Sequence, residues 1–490
     1  MADKTYPKVT LDFKLTAKSR IGVHSGEQAE LTNAEQIQSE GNTLTYAQLM
    51  LDVNKRPMLP GSSLKGVLRA LFEPKMAQAL FGGQQREGNS AQQAITKRFN
   101  GCVSVQSAFL MGTNNSEKAV TYQTHNSIDA ITDTVLDNHL FSQAWVNSGG
   151  QFKGQLHAEF ISETQLKALC SVLKIAQLQV GAGSKWGYGQ VELSDLNVKV
   201  LSAEKLTAWF KSDNNDQKKL SDFYDDFKLE NLPSEIGNIT SKTLIDTWQF
   251  DLHLSSPDPI LIACPEHLKM QNKPHKTEQT MAAYFVREEG KPILPASALR
   301  GMLRARFIKI ICTLLPQIDC KTLQQFVTPF WGSTAQRSAL IIPNATLTKE
   351  ATAITHPQSM IAIDRFTGGV KDGALINVEA VTVNGDFKTA CSIPMAVLKA
   401  HPFSTAVLML VFKDLLEQKM AIGANKNRGY GRIKGKFFAH KKEYTDIQDV
   451  IDNCLAHFSS ETLEDSIKKT IKEYKTDSKK EQQSEGATHD

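Results

Sequence analysis

The 490-residue chain is poor in the features by which a sequence usually declares its chemistry. Its seven cysteines are an odd number, with no Cys-x-x-Cys and no paired Cys/His spacing. That disfavours a disulfide framework and a zinc knuckle, and it fits a reducing cytoplasm. No apolar run approaches the ~20 residues of a membrane-spanning helix, the longest lying near Thr405–Phe412. The opening Met-Ala-Asp-Lys-Thr-Tyr has no basic stretch leading into an apolar one, so no secretion signal is expected. An excess of one charge is missing too. The 56 Lys+Arg against 52 Asp+Glu leave a net +4, so any polyanion must be met by locally concentrated cations. The motifs G-x-x-x-x-G-K-[ST], G-x-G-x-x-G, G-x-S-x-G and H-E-x-x-H do not occur, and there is no Asp-rich metal cluster.

What the chain does have is an internal repeat. Pro60-Gly-Ser-Ser-Leu-Lys-Gly-Val-Leu-Arg-Ala-Leu-Phe72 returns 235 residues later as Pro295-Ala-Ser-Ala-Leu-Arg-Gly-Met-Leu-Arg-Ala-Arg-Phe307. Ile128-Asp-x-x-Thr-x-x-Val135 returns at the same offset as Ile363-Asp-x-x-Thr-x-x-Val370. Leu80-Phe-Gly82 is echoed by Phe330-Trp-Gly332, and Gly181-Ala-Gly-Ser-Lys-Trp-Gly-Tyr-Gly189 by Gly423-Ala-Asn-Lys-Asn-Arg-Gly-Tyr-Gly431. Four landmarks in one order indicate a tandem duplication of a domain of about 200 residues. The expected division is residues 1–200, a linker at 201–245, a second domain at 246–445, a helical segment at 446–475 and a disordered tail at 476–490. Each copy reads strand, long polar loop, helix, strands around a hairpin, helix, Gly-rich loop, strand. That order suggests an α+β fold built on a ferredoxin-like sheet with insertions.

In both copies the Pro-x-Ser turn opens a helix, with Ser62 or Ser63 placed to N-cap the first. Leu64, Val67, Leu68, Leu71 and Phe72 form an apolar stripe for packing on a sheet. Lys65 and Arg69, like Arg300 and Arg304, are like charges four residues apart, and a cation in the first turn opposes the helix dipole. Gly66 and Gly301 interrupt the same helices at about 1 kcal/mol each. A polyanion backbone lying across the helix N-terminus explains all three costs, while a surface helix with ordinary solvated cations is the alternative. Each Gly-rich loop follows a helix and precedes a strand, the reverse of a nucleotide-phosphate loop. Backbone N–H groups beside Lys185, Trp186 and Tyr188, or Lys426, Arg428 and Tyr430, suit single-stranded nucleic acid. A tight structural turn with both tyrosines in the core is the competing reading. Thr367-Gly-Gly369 looks like a hairpin tip; the neighbouring Arg365 has Ala130 as its counterpart. His24, His125, His275 and His356 are read as loop residues, able to do acid–base work or simply solvated.

In combination these landmarks resemble the RAMP (repeat-associated mysterious protein) superfamily of CRISPR effector complexes, and specifically the backbone subunits of type III complexes. The carrying residues are Pro60–Gly66, Leu80-Phe-Gly82 with Gly101–Ala108, Ile363–Gly368, and the two Gly-rich loops. The two-copy fusion looks most like the tandem subunits of type III-D variant complexes. The resemblance implies modified RRM-like domains with inserted thumb hairpins, stacked along a guide RNA (crRNA) beside other effector subunits. Ser62, Ser63, Lys65, Arg69, Ser297, Arg300 and Arg304 would grip guide phosphates. The segments around Ile128–Val135 and Ile363–Val370 would be thumbs crossing the guide–target duplex. Relatives that cut target RNA place an aspartate, with a divalent metal such as Mg or Mn, between the first strand and the Pro-Gly-Ser-Ser turn. Here Leu44–Leu51 and Thr280–Arg287 contain no carboxylate. Glu40 and Asp52 flank the gap in the first copy, Glu278 and Glu288 in the second, so either substitutes act or both copies bind without cutting. A metal-independent guide-RNA processing endonuclease and a two-domain small-molecule binder are the rival functions.

Overall fold

The structure is a computed structural model that describes residues 3–30, 45–87, 95–112, 119–129, 132, 135–175, 178–211, 219–229, 246–264, 284–288, 290–371, 375–455 and 458–486. In the first domain the strands are β1 (Thr5–Ala17), β2 (His24–Glu30), β3 (Thr45–Leu49), β4 (Met58–Leu59), β5 (Gly83–Glu87), β6 (Ile95–Phe99), β7 (Val103–Val105), β8 (Ala108–Leu110), β9 (Val120–Ile128), β10 (Val135–Val146), β11 (Gln151–Ser162), β12 (Leu178–Gln179) and β13 (Gln190–Leu201). Helices α1 (Gly61–Ala70) and α2 (Pro74–Phe81) follow β4, α3 (Glu163–Ile175) follows β11, and α4 (Ala203–Lys211) follows β13. The second domain has β14 (Asp225–Asp226) before it and then β15 (Thr247–Ser255), β16 (Ala263–Cys264), β17 (Tyr284–Phe285), β18 (Arg287–Glu288), β19 (Lys291–Leu294), β20 (Ala345–Leu347), β21 (Thr352–Met360), β22 (Ile376–Asn384), β23 (Phe387–Pro394), β24 (Met420–Ala421), β25 (Arg432–Ala439) and β26 (Lys442–Tyr444). Its helices are α5 (Ala296–Leu314), α6 (Cys320–Trp331), α7 (Met395–Ala400), α8 (Pro402–Leu416), α9 (Ile447–Cys454) and α10 (Ser460–Gly486).

The duplication is visible in the sheets. The first runs β12-β13-β1-β11-β8-β4 and the second β24-β25-β15-β23-β20-β19-β18, so equivalent strands take equivalent places. Period-2 patterning sets the faces. Val9, Leu11, Phe13 and Leu15 of β1 are buried against a core that includes Leu64 and Leu68 of α1 and Leu166 and Leu169 of α3, while Thr10, Asp12 and Lys14 point outward. The apolar stripe expected on the first helix is therefore its core face. The second core is larger because α5 runs 19 residues against 10 for α1, and α8 is buried nearly all round.

The repeated Asp-x-x-Thr is a turn device. Asp129 Oδ1 accepts from the Thr132 N–H and hydroxyl at 2.8 and 3.0 Å, and Asp364 Oδ1 does the same for Thr367 at 2.8 and 3.1 Å. Ile128 pairs with Val135, and Ile363 with Val370, closing both hairpins. The first hairpin is the β9–β10 pair of a four-stranded sheet ordered β2-β3-β10-β9; the second is a two-stranded ribbon, β21–β22. At its end Phe366 is 99% exposed and Arg365 is exposed.

Several expectations need correction. Ser62 and Ser63 do not cap α1: the helix begins at Gly61 with Pro60 as N-cap, and Ser107 Oγ accepts the Gly61 N–H at 3.2 Å. In α5 Asn344 Oδ1 accepts the Ala296 N–H at 2.8 Å, so both caps come from the residue just before an equivalent strand, β8 or β20. His24, His125 and His356 lie in β2, β9 and β21 rather than in loops; His275 lies outside the described residues. Helix α10 continues to Gly486, into the segment read as a disordered tail, because its Lys, Glu and Gln are strong helix formers and Lys468 pairs with Glu464 one turn away. Replacing Ser107 or Asn344 with Ala should lower unfolding free energy by about 1 kcal/mol each, read from denaturant melts.

Candidate nucleic-acid interface

The Gly181–Gly189 loop starts and ends in conformations that require glycine. Gly181 has φ +88° and Gly189 φ +81°, and a Cβ on either would meet a backbone oxygen at 2.3 or 2.2 Å. Gly423 and Gly431 repeat this in the second copy, at 2.2 and 2.0 Å. Between the glycines the copies part. In the first, a 3-10 turn over Ser184–Trp186 presses into the second domain. The Ile342 N–H donates to the Lys185 carbonyl at 3.2 Å, and a Cβ on Gly187 would meet Pro343 at 2.8 Å. Tyr188 hydroxyl donates to Gln123 Oε1 at 3.1 Å and lies 3.4 Å from Asn344 Nδ2. Arg20 pairs with Glu288 at 3.0 Å. Trp145, Trp186, Tyr188 and Ala296 make a small apolar core of their own between the two large ones.

This overturns the reading of the first loop as an open stacking platform. Trp186 is 8% and Tyr188 4% exposed, packed by His125 and Trp145 of the first domain and Ala296 of the second. The structural-turn reading applies to Tyr188, whereas Tyr430 is only half-buried. The second loop has no such cover: Arg428 is exposed, Lys426 half-buried, and a Cβ on Gly429 would meet nothing within 4 Å.

Arg300 is also displaced from its expected place on the surface. It is 6% exposed and donates to the carbonyls of Leu340 and Trp331 at 2.6 and 3.1 Å and to Ser338 Oγ at 3.1 Å. Its guanidinium lies 5.5 Å from the centre of the Trp331 ring. A fourth contact, 3.4 Å to the Lys185 carbonyl, ties it to the first loop. Burial lowers its pKa to about 10, with Arg304 adding repulsion. Arg69 Nη1 plays a similar part in the first domain, donating to the Gly82 carbonyl. Lys65 and Arg304 are half-buried without a hydrogen-bond or ion-pair partner among the described residues, and Ser62 is exposed. Ser63 and Ser297 are half-buried in the first turns of their helices.

Positive charge is thus concentrated at the domain junction. Burial lowers the Lys185 pKa, and Arg300 and Arg304 lower it further; burial lowers Arg304 as well. Lys185 lies 4.9 Å over the Trp186 ring. These cations repel one another, so an anion bound beside Arg304 would relieve the repulsion. Gly66 and Gly301 face outward, and a Cβ on either would meet no atom within 4 Å. Nothing inside the fold requires glycine there.

Of the carboxylate candidates Glu40, Asp52 and Glu278, only Asp52 lies among the described residues, and the other two lie outside them. Asp52 Oδ1 accepts from the N–H groups of Asn54 and Arg56 at 2.9 and 2.8 Å, and its Oδ2 accepts from Arg56 Nε at 2.8 Å. Burial raises its pKa, but these bonds outweigh that and hold it below the usual carboxylate range. Its oxygens are committed to a turn and do not fit a metal ligand. Among the described residues no group of three or more His, Cys, Asp or Glu could hold a metal, and no helix is long and apolar enough to cross a membrane.

A family model described as the RAMP superfamily matches residues 14–192 and 257–434, well over half the chain. The chain belongs to the RAMP superfamily. Each matched stretch contains one copy of the Pro-x-Ser helix, hairpin and Gly-rich loop, and membership carries a CRISPR-associated, RNA-binding role in general terms. No curated protein matches the sequence significantly.

The caps and the Arg300 seat were missed from sequence. The one available signal was the polar residue before Ala108 and Ala345 in both copies. Two measurements check the seat. Gly187→Ala should lower the melting temperature more than Gly429→Ala, since both strain a positive φ but only the first also meets Pro343. His125, stacked on Trp186 at 4.8 Å and Phe141 at 5.3 Å, has its pKa lowered from 6.5 to about 4 by burial and by Lys185 and Arg20. The unfolded chain therefore binds the extra proton between these values, and stability declines as pH falls from 6.5 toward 4. His125→Phe should flatten that part of the melting-temperature profile.

Proposed function

We propose that this protein is a tandem backbone subunit of a cytoplasmic type III CRISPR effector complex, of the type III-D variant kind, binding guide RNA and target RNA beside other effector subunits. The observation that carries this reading is the pair of glycines, Gly66 and Gly301. Each costs its helix stability, faces open space and lies next to cations, Lys65 and Arg69 or Arg304. An RNA backbone crossing α1 and α5 is what makes a missing side chain useful there. The same reading assigns to RNA Ser62, Ser63 and Ser297 in the first helical turns, Lys426, Arg428 and Tyr430 on the uncovered loop, and Arg365 and Phe366 at the end of the second hairpin, which would act as a thumb crossing the duplex.

Asp52 is assigned no cutting role. If the chain cuts target RNA with Mg or Mn, Glu40 and Glu278 are its candidate carboxylates. In guide-loaded complex with labelled complementary RNA and Mg²⁺, Glu40→Ala and Glu278→Ala should then each remove one product, and Asp52→Ala none. Cleavage of repeat RNA by the isolated protein in EDTA would instead favour the processing endonuclease.

Gly66→Ala and Gly301→Ala separate binding from folding. Each should raise stability by about 0.5–1 kcal/mol and weaken guide-RNA binding in a filter assay. Lys65→Ala and Arg304→Ala should each reduce the slope of log affinity against log salt by about 0.7. If the glycine variants are stabilised and bind RNA as tightly as the wild type, the reading fails.

A further inference from the structure

The outward face of the first sheet carries a cavity of about 620 Å³. One wall is apolar: Phe109, 38% exposed, and Met111, 43% exposed. Lys153 and Arg56 line it as cations, Asp12 and Gln155 as polar groups of the sheet.

The duplicate domain is an internal control, because the register is the same. Phe109 stands opposite Lys153 in the first sheet and Thr346 opposite Lys388 in the second. Asp12 stands opposite Gln155, and Asp251 opposite Ala390. In the second domain Lys388 Nζ lies 2.6 Å from Asp251 Oδ2, so the cation is neutralised. In the first, Gln155 Nε2 donates to Asp12 Oδ1 at 2.8 Å. Lys153 is exposed and has no hydrogen-bond or ion-pair partner among the described residues. Where the second domain has alanine and threonine, the first has an amide that occupies the aspartate and an aromatic ring beside the lysine. Together the differences convert a closed ion pair into a site with a cation, a ring and hydrogen-bond acceptors.

We propose that this cavity takes one unpaired RNA nucleotide, its base against Phe109 and Met111 and its phosphate on Lys153. The inference rests on the RNA-binding reading above and adds a site to it. Stacking on an aromatic ring suits any base. Selectivity comes from Asp12 Oδ2 and Gln155 Oε1, both acceptors. They match the amino group of cytosine, whereas uracil offers a single N–H flanked by carbonyls. The site is continuous with the α1 surface, since Ser107, which holds the Gly61 N–H, also lines the cavity.

The test is fluorescence polarisation with the full-length protein and labelled eight-residue oligocytidine and oligouridine. The wild type should bind oligocytidine more tightly. Phe109→Ala should weaken oligocytidine binding about tenfold, and Phe109→Leu, which keeps the wall apolar, should also weaken it. Gln155→Ala should weaken it too, by letting Lys153 pair with Asp12 as Lys388 pairs with Asp251. Asp12→Asn should narrow the preference over oligouridine. Lys65→Ala, outside the cavity, should weaken both oligomers alike. If Phe109→Leu and Gln155→Ala bind as the wild type does while Lys65→Ala is weakened, the cavity is not a nucleotide site and the RNA-binding reading stands. If the wild type binds neither oligomer, both fail.

Discussion

The arrangement of the two domains depends on one contact, the seating of the first glycine-rich loop on the start of α5. It joins a main-chain bond from Ile342 to Lys185, the Asn344 side chain that both caps α5 and meets Tyr188, and a buried guanidinium that reaches the same Lys185 carbonyl. None of these groups could be left dry and unpaired at low cost, since a buried donor without an acceptor loses about 1–3 kcal/mol. Arg300 is the extreme case. Its acceptors are carbonyls and a serine hydroxyl, which orient a guanidinium without cancelling its charge. The charge persists and adds to burial in lowering the pKa of Lys185.

That contact explains why two corresponding loops differ in exposure. Trp186 and Tyr188 in the first become Arg428 and Tyr430 in the second, and Gly183 becomes Asn425, which tolerates the same left-handed backbone at φ +57°. Of the three glycine pairs retained, Gly181 with Gly423 and Gly189 with Gly431 stand where a backbone oxygen leaves no room for a Cβ, and Gly187 with Gly429 where φ is +70° and +85°. What the duplication kept is what the turn needs, and what it changed is what covers the turn.

Legibility in the sequence followed the range of the interaction. The first helix with its apolar stripe and the hairpin tip at Thr367–Gly369 are local, and the residues that cause them lie within a few positions of one another. The Asp-x-x-Thr turn could be read because Asp129 and Asp364 each bond a residue three places on. Ser107 as the cap of α1 could not, since 46 residues separate it from Gly61, and Ser62 and Ser63 offered a nearer and wrong solution. Arg300 misled for the same reason: at i, i+4 from Arg304 it looks like a solvated face. Its burial is set by the Trp331–Leu340 turn folding over it. Aromatic residues beside glycines looked like a stacking surface, but Trp145 and His125 of the first domain and Ala296 of the second enclose them in an interface core.

The small net charge has its counterpart in the packing. Many of the 52 acids are consumed by nearby bases, as in Asp52 with Arg56, Asp251 with Lys388, Asp258 with Arg432 and Asp414 with Arg306. Surface pairs of this kind contribute little to stability, at most about 1 kcal/mol each, but they neutralise cations that would otherwise attract phosphate. Against that background Lys65, Arg304 and Lys153, which have no such partner among the described residues, stand out by position. Two flank open helical glycines and the third borders a cavity whose counterpart is closed by an ion pair. A polyanion would be drawn to those positions more than to cations already paired, so its path is set by where charge was left unpaired.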